Sequence, residues 1–147
     1  MSLLSFIKEA GEKLIDLLTP GNANAGEQLK EHISKVGLGN PNVQATVDGD
    51  KVTVTGEVAS QEEKEKILLA LGNIAGVGSV DDQITVTGPV VAAAVFVTVV
   101  KGDTLSAISK RVYGDANQYN KIFEANKPLL SHPDKIYPGQ SLRIPAK

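Results

Sequence analysis

Sixteen residues, VQATVDGDKVTVTGEV (43–58), alternate apolar and polar side chains on both sides of Asp48-Gly49-Asp50. A period of two puts every second side chain on one face only when the chain is extended, and an Asp-Gly pair between two such runs favours a tight turn. The stretch therefore predicts a β-hairpin. Directly after it, Ser60 followed by Glu63 is a capping-box pattern that opens a helix, QEEKEKILLALGNI, with its acids early where the helix dipole favours them and Gly72 at its end. A GVGSV turn then leads into DDQITVTG, a third strand.

Two helices are predicted upstream of the hairpin. Residues Gly26 to Val36 carry His32 and are closed by the turn-rich GLGNPN. Over 1–20, Leu3, Phe6, Ile7, Ala10, Leu14, Leu17 and Leu18 recur at helical spacing until Thr19-Pro20-Gly21 stops the pattern. This reads as one amphipathic helix whose apolar stripe could dock on the rest of the protein, on a partner or on a membrane surface. A mixed-charge polar face, with Lys8, Glu9, Glu12 and Lys13, favours docking within the chain over a basic, membrane-seeking role.

Composition narrows the function classes. With 41% hydrophobic residues, no Trp, three Phe and three Tyr in 147 residues, any core is small and aliphatic. Fifteen Lys plus Arg against seventeen Asp plus Glu give a formal net charge of -2, which argues against nucleic acid as a partner. The absence of Cys excludes disulfides and thiolate chemistry and suits a reducing compartment. The first residues lack the unbroken apolar region and the small-residue cleavage site of a secretory signal. The longest apolar stretch, Val90 to Val100, falls well short of the roughly 20 residues needed to span a bilayer. The expectation is a cytoplasmic protein with no stable membrane insertion.

Catalytic and side-chain metal sites find little support. His32 and His132 are the only histidines and lie far apart, with no partner carboxylates at fixed spacing, so both read as solvated. No Ser stands in a G-x-S-x-G setting. The glycine-rich run from Gly72 to Gly78 follows a helix, whereas phosphate-cradling loops precede one. It offers carbonyl oxygens at the negative end of a helix dipole, donors suited to a large monovalent cation such as K⁺, and it equally fits an ordinary helix C-cap turning into a strand.

Helix, strand, strand, helix, strand, with VTVTGEVASQEEKEKI and IAGVGSVDDQITV, resembles the BON domain over 24–88. After a linker at 89–95, FVTVVKGDTLSAISKRVYGDANQYNKIFEANKPLLSHPDKIYPGQSLRIPAK resembles a LysM domain over 96–147. These resemblances imply an α+β chain of two small modules, αββαβ and βααβ, with no catalytic set. In LysM domains that bind N-acetylglucosamine polymers the ligand lies between two loops. Here that implies Gly102, Asp103, Thr104 and Leu105 opposite Asn126, Lys127, Pro128 and Ile136. Asp103 and Thr104 also suit a helix N-terminus, a folding role by itself.

From end to end, with FIKEAGEKL, GNIAGVGSVDDQ, GDTLSAISK and IYPGQSLRIP, the chain resembles the bacterial cytoplasmic BON–LysM potassium-binding family. That resemblance implies a monomeric K⁺ sensor or buffer, of use in stress responses, which becomes compact on binding K⁺, Rb⁺ or Cs⁺. Its site would be a cage of backbone carbonyls, nominated as Ile7, Ala10, Gly72, Ile74 and Val77. Peptidoglycan or chitooligosaccharide binding, and a membrane or protein scaffold built on the BON module, are the alternatives.

Overall fold

The structure, a computed structural model, describes residues 2–6, 25–39, 41–48, 50–74, 77–89, 94–127, 129–130 and 132–145. Two α+β units follow one another. In the first, the hairpin forms as its alternation predicts: β2 (Val43–Asp48) and β3 (Lys51–Val58) pair antiparallel from Val43↔Gly56 to Asp48↔Lys51. α2 (Gln61–Gly72) crosses over, and β4 (Ser79–Val86) returns parallel to β3. Ser60 caps α2 by accepting the Glu63 N–H at 3.1 Å, the Ser half of the capping box.

β1 (Ser2–Ser5) completes the sheet, in the order β1-β4-β3-β2, by pairing antiparallel with β4 from Ser2↔Asp82 to Ser5↔Ser79. This corrects the start of the predicted N-terminal helix. The first turn of a helix leaves its N–H groups without intrahelical acceptors, whereas the open edge of β4 offers the same residues a ladder. The rest of that predicted helix, 7–20, lies outside the described residues.

α1 (Ala25–Ile33) runs into a wide turn over Ser34–Leu38, where Gly37 takes φ 99°. Leu29 and Ile33 have no exposed surface, and His32, predicted to be solvated, is only 5% exposed. The correction follows from helical spacing, because Leu29, His32, Ile33 and Val36 share one stripe. Beneath α1 and α2 lie Val43, Ala45, Val52, Val54, Val80 and Ile84 from the sheet, all in one core with Leu69 and Leu71. Asp82 is buried among them and pairs with Lys64 of α2 at 3.0 Å.

The second unit pairs β5 (Val95–Thr98) antiparallel with β6 (Ser141–Ile144). Between them come α3 (Leu105–Tyr113), one 3₁₀ turn (Ala116–Gln118) and α4 (Tyr119–Ala125), the expected βααβ order. Gly114 closes α3 in the left-handed conformation at φ 77°, with its N–H on the Lys110 oxygen. Leu105, Ile108, Ile122, Leu142 and Ile144 form a separate core. Phe96 and Leu129 of this unit pack against the core of the first, so the two units meet in a shared apolar seam. Among the described residues no helix is long and apolar enough to cross a membrane.

Candidate functional site

The loop that leaves α2 is held by its own side chains. Ile74 and Val77 are fully buried in the first core. The Asn73 N–H returns to the Leu69 oxygen at 2.9 Å, and the Val77 N–H donates to the Ile74 oxygen at 3.1 Å. One lone pair of the Ile74 carbonyl therefore serves the turn, leaving its second for another partner. The oxygens of Gly72 and Val77 take no part in these bonds.

The N-terminal strand grips the same loop at two points. The Phe6 N–H donates to the Gly78 oxygen at 2.9 Å, and the Phe6 ring lies on Gly72 so closely that a Cβ there would stand 2.1 Å from a ring carbon. Gly72 is thus a glycine because an aromatic ring occupies the place of a side chain. Of the five nominated carbonyl residues, Gly72 ends α2, and Ile74 and Val77 follow it as acceptor and donor partners of one turn bond. Ile7 and Ala10 lie outside the described residues, although Phe6, which precedes Ile7, is fixed on the loop. Neutral backbone oxygens on a rigidly anchored turn at a helix C-terminus are a donor set that fits a weakly hydrated monovalent cation.

Sequence reasoning missed what stands next to this loop. Asn73 reaches the second unit, its Nδ2 donating to the Ser141 oxygen at 3.0 Å and its Oδ1 accepting the Ser141 N–H at 2.9 Å. Two turns earlier on α2, Glu65 receives Arg143 Nε at 3.1 Å and Nη2 at 2.8 Å on one carboxylate oxygen, both side chains being buried. The other oxygen accepts the Ala94 N–H at 2.7 Å, tying down the connection between units. One signal for Glu65 was available: it sits on the helical stripe of Leu68, Leu69 and Gly72. A cleft of about 350 Å³ opens beside this seam, lined by His32, Leu69, Asn73, Leu130, Lys135 and Tyr137 among others.

The residues nominated for a glycan groove have structural duties. Asp103 accepts the Val100 N–H at 3.1 Å and pairs with Arg111 at 3.3 Å. That backbone bond, ahead of the Arg111 charge, holds its carboxyl below the usual range. Thr104 caps α3 by accepting the Ala107 N–H at 3.0 Å. Leu105 is 2% and Asn126 1% exposed: Leu105 fills the second core and the Asn126 amide bonds backbone groups of Ile122 and Arg143. Gly102 and Lys127 are exposed and Ile136 half-buried, whereas Pro128 lies outside the described residues. Bonds from Val99 to Gln140 and from Gly139 to Val99 do bring the loops after β5 and before β6 side by side. His132 is exposed, as expected, and accepts the Asp134 N–H.

Comparison with known proteins decides what this architecture belongs to. The chain is 56% identical over 149 aligned residues to the potassium binding protein Kbp of Escherichia coli O6:H1, covering 99% of each. The chain belongs to the Kbp family. Consistent with the Kbp architecture, a BON domain model matches residues 22–88 and a LysM domain model residues 97–145. Outside the Kbp family likeness is partial. An uncharacterised protein of Deinococcus radiodurans is 52% identical over 48 residues, and the uncharacterised protein YqbP of Bacillus subtilis 39% over 57; each match covers 33% of this chain, and 18% and 26% of the relative's length.

Proposed function

We propose that this chain binds K⁺ by backbone carbonyls of the loop after α2, closed by the residues that follow Phe6. The observation that carries the reading is full-length identity to a protein named for potassium binding, joined to a helix C-terminal loop anchored by Ile74 and Val77 and clasped by Phe6. The ligands nominated are Ile7, Ala10, Gly72, Ile74 and Val77. Such a site needs no charged side chain, because the dipole of α2 and several carbonyl oxygens together replace the hydration of a large monovalent ion. Mg²⁺ would be refused, since it dehydrates reluctantly and demands short octahedral coordination.

In this reading the protein is a cytoplasmic monomer that works by binding and not by catalysis. It draws its modules (24–88 and 96–147, joined by 89–95) together around the ion, and accepts Rb⁺ and Cs⁺ as well as K⁺. Binding to the closed form alone stabilises it by about 2.7 kcal/mol at a hundredfold excess over Kd. Thermal unfolding of ion-stripped protein at matched ionic strength tests this. Melting temperature rises with K⁺, Rb⁺ and Cs⁺ and stays put with Na⁺, Li⁺ and Mg²⁺; equal shifts in all six salts would defeat the reading.

A further inference from the structure

β6 has one neighbour, β5, and its other edge faces the first unit. An uncovered strand edge leaves N–H and C=O groups of alternate residues without partners. Here two asparagines stand in for the missing strand. The carboxamide of Asn126 donates to the Arg143 oxygen at 2.9 Å and accepts its N–H at 2.8 Å. The carboxamide of Asn73 does the same for Ser141, at 3.0 and 2.9 Å. Asn126 belongs to the LysM unit itself, while Asn73 is lent by the BON unit from between Gly72 and Ile74, two of the carbonyls nominated for the ion.

We propose that Asn73 is the positioning residue that couples ion binding to the docking of the LysM unit. The proposal rests on the K⁺ reading above. With its side chain clamped at both ends of one amide plane on Ser141 and its own N–H tied to Leu69, the backbone on either side of Asn73 loses its torsional freedom. The direction of the Gly72 carbonyl is thereby set by a strand in the other unit. Coupling of this kind is reciprocal: docking of β6 preorganises the ion loop, and an ion in the loop holds β6 docked by the same factor. The buried Glu65–Arg143 pair also joins the two units, through bonds that involve no described residue of the loop.

The test uses the full-length protein. Calorimetric K⁺ titration of Asn73→Ala should show affinity about tenfold weaker, within the usual range of coupling factors. Its melting temperature in Na⁺ should fall less than in K⁺. A residue needed only for folding would lower both melting temperatures equally and leave K⁺ affinity untouched, which would overturn the proposal. Wild-type hydrogen exchange decides independently of how well the variant folds. The Ser141 amide should slow on adding K⁺ but not Na⁺, and should respond more than the Arg143 amide, whose acceptor lies in its own unit. Equal exchange at Ser141 in the two salts, in a wild-type protein that does bind K⁺, removes the coupling and leaves the ion site standing. Failure of wild type to bind K⁺ at all removes both.

Discussion

The two units are held together by different means. Among the described residues, sixteen buried apolar side chains gather in the first core, drawn from three strands, two helices and the loop after α2, with Phe6, whereas eight gather in the second around a two-stranded ribbon. A ribbon of that size is marginal in water. The second unit offsets its small core with side chains that satisfy backbone groups: Thr104 and Asp115 at helix starts, Ser109 on the Asp115 oxygen, Tyr113 on the Pro145 oxygen at 2.6 Å, and Asn126 along β6. Burial sets the Tyr113 hydroxyl above its ordinary pKa, with Arg143 opposing. Polar residues in a small module are thus first candidates for scaffolding, and only what they leave over is available to a ligand. In the first unit, apolar packing holds the loop after α2, with Ile74 and Val77 fully buried.

Arg143→Met should break this comparison most severely. It leaves Glu65 buried without its cation and should cost roughly 3–5 kcal/mol in urea unfolding, much of it recovered when Glu65→Met is added. Full stability in the single variant would mean the units do not depend on this pair.

Next come matched core truncations, Ile84→Ala in the first core and Ile122→Ala in the second, each expected to cost roughly 2–5 kcal/mol. If the seam makes one cooperative structure, both variants shift a single calorimetric transition; two separating transitions would show the cores to be independent.

Gly72→Ala should cost about 1–3 kcal/mol, since the new methyl must displace the Phe6 ring. Removing the ring, in Phe6→Ala/Gly72→Ala, should cost less than the sum of the single changes.

The smallest effect belongs to Asp103, which precedes the Thr104 cap of α3 in the second unit. Because folding lowers its pKa, its contribution is present above the unfolded value of about 3.9 and fades as pH falls through the folded value. The difference in melting temperature between wild type and Asp103→Asn should be small at pH 7 and vanish in stronger acid. A difference that persists there would trace to the side chain's hydrogen bonds and not to its charge.

What could be read from the sequence was local. The β2–β3 hairpin and the Ser60 cap of α2 follow from periods and turn residues within a dozen positions of one another, whereas the βααβ order was implied by the resemblance to a LysM domain. β1 escaped because its four residues carry no period of their own, and only the edge of β4, far along the chain, makes them a strand. Asn73 and Glu65 escaped for a related reason: their partners lie 68 and 78 positions away. Nothing next to an asparagine at a helix end announces which distant amide it will hold. Backbone ligands are harder still, as every residue carries the same oxygen.

Ser141 has a consequence for modularity. A LysM unit is commonly pictured as a cassette that can be cut out and attached elsewhere. Here half the cover of its last strand is contributed by a residue on the far side of the linker, so the excised cassette would carry a raw edge able to pair with any passing strand, its own copies included. Transplanting this module therefore requires either a new asparagine supplied by the host or an edge blunted by charge. Shuffling it alone should yield aggregates where shuffling the pair does not.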